Sequence, residues 1–123
     1  MFTLYGIKNC DTVKKARKWL DDNGIAYRFH DYRSDGLSSE LLTHFADELG
    51  WNTLLNRSST SWRQLSAEQQ ADLNADKAIA LMLTTPTLIK RPILDTSNKM
   101  LIGFKADEYA ANLTDASAAK VDS

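Results

Sequence analysis

The chain has 123 residues, 43% hydrophobic and 25% charged, which suits one globular domain with a core large enough to fold alone. Fifteen basic against sixteen acidic residues leave a formal charge of -1, so no global field draws the protein to nucleic acid or to an anionic membrane, and neither is expected as a partner. A single cysteine excludes an internal disulfide and makes any resolving thiol an external one.

Phe2, Leu4 and Tyr5 carry strand propensity and Gly6 breaks the run, so residues 1–6 read as a strand. From 12 to 23 the apolar positions Val13, Ala16 and Leu20 recur at helical spacing, with Gly24 as the stop. Residues 25–32 read as a second strand before a Ser34, Asp35, Gly36 turn, which completes a β-α-β unit with a parallel crossover. Ser38 is placed to cap a helix to Leu49, with Leu37 and Leu42 as a hydrophobic staple and Leu41, Phe45 and Leu49 as its buried stripe.

After a polar loop over 56–61, Ser61 with Gln64 and Ser66 with Gln69 match the capping-box pattern, predicting short helices over 62–65 and 67–73. Another helix is expected over 76–83. Beyond Pro86 and Pro92, residues 93–95 and 100–104 read as strands of an antiparallel hairpin joined through Thr96, Ser97 and Asn98. A closing helix over 107–113 and a frayed tail over 114–123 finish the chain. The class is α/β, and the longest apolar runs fall far short of a membrane span. No charged-then-apolar leader pattern opens the sequence, so a cytoplasmic location is expected.

Cys10 lies where the first strand hands over to the first helix. A thiol there faces unpaired N–H groups and the positive end of the helix dipole, both of which favour the thiolate. The competing reading is a small buried hydrophobe, against which stand the polar neighbours Lys8, Asn9 and Asp11. A phosphatase loop needs arginine six positions after the cysteine, where this chain has Ala16, and a dithiol motif needs a second cysteine where it has Val13. Monothiol chemistry remains. His30 and His44 read as structural or solvated, and no metal site is expected. The basic first half of the helix, Lys14, Lys15, Arg17 and Lys18, is either a solvated face or a weak attractor for an anionic thiol partner.

Tyr5 to Thr12 (YGIKNCDT), Leu54 to Arg57 (LLNR) and Leu88 to Leu94 (LIKRPIL), taken in order, resemble the ArsC family over roughly residues 1–113. With Ile102 to Lys105 (IGFK), the likeness is to its YffB branch. The resemblance implies a thioredoxin-like fold: a single domain over 1–113, with a small mixed sheet flanked by helices and a helical insertion over about 38–90. It carries over Cys10 as nucleophile, Arg57 and Arg91 as anion-binding arginines, and a cis bond before Pro92. The substrate-binding set expected around the sulfur is Lys8, Asn9, Asp11, Thr12, Pro92 and Lys105. Where this chain lacks the histidine, the proline and the third arginine of the family's glutathione-dependent arsenate reductases, Lys8 or Lys105 is the expected source of positive charge.

The expected activity is a monothiol reductase of an oxidised thiol or an oxyanion, with glutathione or another small thiol as co-substrate and no bound cofactor. The alternatives are an Spx-like adapter of RNA polymerase and a true arsenate reductase. Lowering a cysteine pKa from about 8.5 to about 6.5 raises its thiolate fraction at pH 7 roughly 25-fold, while lost nucleophilicity takes back roughly 6- to 10-fold. Catalysis therefore has to come mainly from positioning and charge stabilisation, which guanidinium groups supply.

Overall fold

A computed structural model describes residues 2–97 and 99–114. Four strands form one mixed sheet in the order β2-β1-β3-β4. The strands are β1 (Phe2–Gly6), β2 (Tyr27–Asp31), β3 (Ile93–Asp95) and β4 (Met100–Ile102). β1 pairs parallel with β2 and antiparallel with β3, which pairs antiparallel with β4. The expected β-α-β unit and hairpin are both present. The hairpin's second strand stops at Ile102: Gly103 still donates to the Pro92 carbonyl at 2.8 Å, but it takes φ +75°, and Pro92 opposite it has no N–H to continue the ladder.

Strand alternation sends successive side chains to opposite faces, and each face of this sheet has its own apolar cluster. Leu4 and Leu94 pack with Ala16 and Leu20 of α1 (Asp11–Asp22) and with Leu101, Tyr109 and Leu113. On the other face Ile93 packs with Leu42, Phe45, Leu54, Ala78, Met82 and Leu88 of the inserted helices, and Tyr5 borders that cluster. Those helices are α2 (Ser39–Leu49), α3 (Trp51–Leu54), α4 (Thr60–Arg63), α5 (Ala67–Gln70) and α6 (Ala75–Thr84). A 3-10 turn over Pro86–Leu88 leads back to the sheet. The described residues end with α7 (Ala106–Tyr109) and a π turn over Ala110–Thr114, so the expected closing helix changes its hydrogen-bonding pattern halfway. Residues 115–123, nearly all of the expected tail, lie outside the described residues.

Local capping signals were legible with one displacement. Ser38 Oγ accepts from the Leu41 N–H at 3.1 Å, and Ser66 with Gln69 makes the full capping box. The box expected at Ser61 is corrected: Ser59 caps α4, accepting from the Trp62 N–H at 3.1 Å, while Ser61 Oγ bonds Thr87 Oγ1. An Asx turn is the reason, since Asn56 Oδ1 accepts from the Ser58 N–H and the Asn56 carbonyl accepts from Ser59 Oγ, so the chain turns two residues earlier. Gly50, at φ +87°, ends α2 and starts the unforeseen α3.

Gly6 is required by proximity. A Cβ there would lie 2.8 Å from Val13 Cγ2, and Val13 is a fully buried, β-branched residue with little rotamer freedom. Gly6→Ala is expected to force α1 away from β1 and to cost about 1–3 kcal/mol. Thermal denaturation followed by circular dichroism checks it, and a variant as stable as the parent would contradict the close approach.

Candidate active site

Strand direction brings distant residues to one edge of the sheet. The carboxyl ends of the parallel strands β1 and β2 coincide, with Gly6 in register with Asp31, and antiparallel β3 begins at the same edge, with Ile93 opposite Tyr5. Cys10, Arg33 and Arg91 follow or precede these three strand ends. They meet around a cavity of about 150 Å³ lined by Ile7, Asn9, Cys10, Arg33, Thr87 and Arg91.

Cys10 is the N-cap of α1: its backbone is extended (φ -94°, ψ 126°), and its carbonyl accepts the first helical bond from the Lys14 N–H at 3.0 Å. Asp11, expected in the substrate-binding set, follows as the first helical residue and is not in the cavity lining. Sγ falls outside strict capping geometry. Partial burial pushes the thiol up, but the Val13 amide, the Arg91 guanidinium and the Thr12 amide together outweigh it and hold Cys10 below its ordinary value. The half-buried sulfur is thus ionisable and opens onto the cavity.

Arg91 is half-buried and held by its neighbours on both sides. The Lys90 N–H donates to the Leu54 carbonyl at 2.9 Å and the Gly103 N–H to the Pro92 carbonyl at 2.8 Å; the Arg91–Pro92 peptide is cis, as the resemblance implied. Nη1 of Arg91 is buried without a hydrogen-bond partner among the described residues. The Tyr32 hydroxyl is equally unpartnered, and burial pushes that phenol well above its ordinary value, so it stays protonated. A buried donor of this kind carries a desolvation cost that an anion in the cavity would offset.

Of the other expected residues, Asn9 lines the cavity and Thr12 aims its amide at the sulfur. Lys8 is exposed, and its backbone N–H donates to Asp31 Oδ2 at 3.1 Å. Pro92 is buried behind Arg91, and Lys105 is exposed at the start of α7. Arg57 does not line the cavity. Backbone pairing of Asn56 with Leu88 carries it alongside the segment leading to Arg91, but its exposed guanidinium lies over the Trp62 ring, 5.5 Å from the centroid.

Arg33 and Thr87 are cavity residues that sequence reasoning missed. For Arg33 a signal existed: it follows a parallel strand at the sheet's carboxyl edge, where ligands of such sheets gather. Thr87 had none. The basic start of α1 takes no part in the cavity; Lys18 pairs with Asp22 at 3.0 Å, and Arg17 bonds the Tyr27 hydroxyl and covers the Phe29 ring. A larger groove of about 410 Å³ along α1 is lined by that helix alone and holds no nucleophile. His30 bonds the Gly36 carbonyl at 2.8 Å and His44 is exposed. Among the described residues no helix is long and apolar enough to cross a membrane.

The ArsC family model matches residues 5–112. A solved protein named YFFB is 52% identical, with a TM-score of 0.88, covering 92% of this chain and 99% of its own. An arsenate reductase (ArsC) related protein from Brucella melitensis is 47% identical, with a TM-score of 0.75 and coverage of 90% and 92%. The global transcriptional regulator Spx of Streptococcus mutans is 29% identical over 115 residues, 92% of this chain and 83% of that protein. The thioredoxin-like sheet, the cysteine capping its first helix and a match spanning nearly the whole chain lead to one conclusion: this protein belongs to the ArsC family.

Proposed function

We propose that the protein is a glutathione-dependent monothiol reductase. What supports this reading is a lone, half-buried Cys10 that lines a small cavity together with Arg91, whose Nη1 is buried without a partner among the described residues. At about 150 Å³ the cavity is smaller than an ordinary small-molecule site of about 300–1,000 Å³. It therefore takes one reacting group or one carboxylate, and the remainder of a tripeptide thiol lies outside, where the exposed Arg57 is read as a docking residue.

In the proposed cycle the Cys10 thiolate attacks the glutathione sulfur of a mixed disulfide. A Cys10–glutathione disulfide forms, and the substrate leaves as a thiolate that takes a proton from solvent. A second glutathione thiolate then attacks that bond, releasing glutathione disulfide and restoring the Cys10 thiolate. The exchange balances: the substrate sulfur passes from disulfide to thiol, the second glutathione sulfur passes from thiol to disulfide, and the glutathione sulfur carried over from the mixed disulfide stays at the disulfide level. The helix amides and Arg91 hold the charge on Cys10 when it leaves in the second exchange.

Incubation with glutathione disulfide is expected to give one adduct on Cys10 by intact mass, absent in Cys10→Ser and reversed by reduced glutathione. No adduct on a thiol that iodoacetamide still labels in the native protein would sink the reading. Substitution of arsenate for the disulfide in a glutathione-coupled turnover assay separates the oxyanion substrate from the thiol one.

The likeness to Spx favours a second reading, an adapter that binds RNA polymerase. Position 13 is valine, so Cys10 lacks the second cysteine of a dithiol switch. Co-purification with polymerase, undiminished in Cys10→Ser, would favour the adapter.

A further inference from the structure

We propose that Arg33 is the second anion-receiving guanidinium of the thiol cavity, and that the Asp31 carboxylate is the positioning residue that holds it in register with the Cys10 loop. The anion is a small one: the carboxylate of a thiol co-substrate or an inorganic oxyanion. Its biological identity rests on the reductase reading, while the placement of Arg33 does not.

Arg33 shares the cavity wall with Cys10 and Arg91, and among the described residues its guanidinium has no ion-pair partner. Its backbone, by contrast, is tightly held. Asp31 is only 8% exposed, and both carboxylate oxygens are spent on backbone amides: Oδ1 accepts from the Arg33 N–H at 2.8 Å and Oδ2 from the Lys8 N–H at 3.1 Å. One side chain therefore ties together two loops that line the cavity, the one carrying Ile7, Asn9 and Cys10 and the one carrying Arg33. The turn is locked further, since Asp35 Oδ2 accepts from the Asp31 N–H, the Asp35 N–H donates to the Asp31 carbonyl, and the Tyr32 N–H donates to the Gly6 carbonyl.

The chemistry of position 31 follows from its two donors. A carboxylate presents two acceptors, whereas asparagine would turn an NH₂ group toward one of the N–H groups. Asparagine therefore loosens one wall while leaving the other tied. With Asp31 in place, Arg33 and Arg91 offer two planar donors around a space of carboxylate size beside the sulfur.

The test compares alkylation of Cys10 by iodoacetate, an anion, with alkylation by iodoacetamide, its neutral counterpart, at low ionic strength. Arg33→Gln is expected to lower the iodoacetate-to-iodoacetamide rate ratio about three- to fivefold, the size of an exposed charge pair. Arg33→Lys keeps most of the ratio, and Arg28→Gln, which removes the same charge from an exposed position on β2, leaves it within about twofold. Asp31→Asn lowers the ratio in the same direction with its circular dichroism unchanged, and adds nothing once Arg33 is glutamine. Because Arg33 is exposed, its variants decide the matter even where Asp31→Asn does not fold.

Two further arms separate the sources of the anion. Protection of Cys10 from iodoacetamide by S-methylglutathione, lost in Arg33→Gln, assigns a carboxylate; protection by inorganic arsenate, lost in the same variant, assigns an oxyanion. An unchanged ratio in Arg33→Gln, protection that survives it, or protection by neither anion overturns the assignment. A changed ratio without any glutathione adduct ends the reductase reading and leaves Arg33 standing; an adduct with an unchanged ratio does the reverse.

Discussion

Arg91→Ala is expected to slow the reaction of Cys10 with glutathione disulfide at neutral pH by about 10- to 100-fold. A hydrogen bond to a charged group is worth about 1.5–3 kcal/mol, and each 1.36 kcal/mol is a factor of ten. The loss has two parts that pH separates. Arg91 helps hold the thiol below its ordinary value, so without it the inflection of rate against pH moves upward. At low pH the variant then lacks both thiolate and positioning; as pH rises through its own inflection the thiolate deficit closes and only the positioning loss remains.

The same shift has a consequence for folding. A thiol whose folded pKa is depressed contributes stability that is present above its unfolded value of about 8.5 and is lost as pH falls through the folded value. The destabilisation caused by Arg91→Ala should therefore grow from acid to alkaline pH. Initial rates of adduct formation and denaturant titrations between about pH 5 and 10 measure both effects. A rate equal to that of the parent across this range would remove Arg91 from the site.

Leu4→Ala is expected to cost about 3–5 kcal/mol, the upper range for a fully buried leucine whose surroundings cannot collapse. Leu4 is 0% exposed in β1, a strand hydrogen-bonded on both sides, and stands opposite Phe29 of β2 and Leu94 of β3. Its cluster includes Ala16 and Leu20, the buried stripe of the helix that begins at Cys10. At about 4 °C per kcal/mol for a domain of this size, the melting temperature should fall by about 12–20 °C in calorimetry. Leu83→Ala, at a side chain 39% exposed, should move it by only a degree or two. A Leu4→Ala loss below about 1 kcal/mol would show this face of the sheet to be loosely packed.

Helix α1 illustrates which features can be read from residues alone. Val13, Ala16 and Leu20 at helical spacing predict the buried stripe that the structure shows, and Ser66 with Gln69 predicts a capping box because all its partners lie within four residues. The Ser61 box failed although its pattern was equally good: Asn56 and Ser59 offered a competing turn, and Thr87, 26 residues away, engaged the Ser61 hydroxyl. Sequence spacing cannot rank two local solutions when a distant side chain tips the balance.

The site divides along the same line. That Cys10 caps a helix and faces its amides follows from adjacent residues, because strand propensity, the Gly6 break and helical periodicity are short-range properties of the backbone. Arg91 is carried by the family resemblance, Arg33 reaches the cavity only through the topology of the sheet, and the Arg57 guanidinium lies over Trp62, outside the cavity lining. Those placements depend on β1 lying between a parallel and an antiparallel neighbour, which superimposes the ends of three strands separated by up to about ninety residues of chain. Local sterics and periodicity settle a helix or a cap, but bringing two guanidinium groups to one sulfur takes the burial of both sheet faces at once, a free energy that belongs to the whole chain.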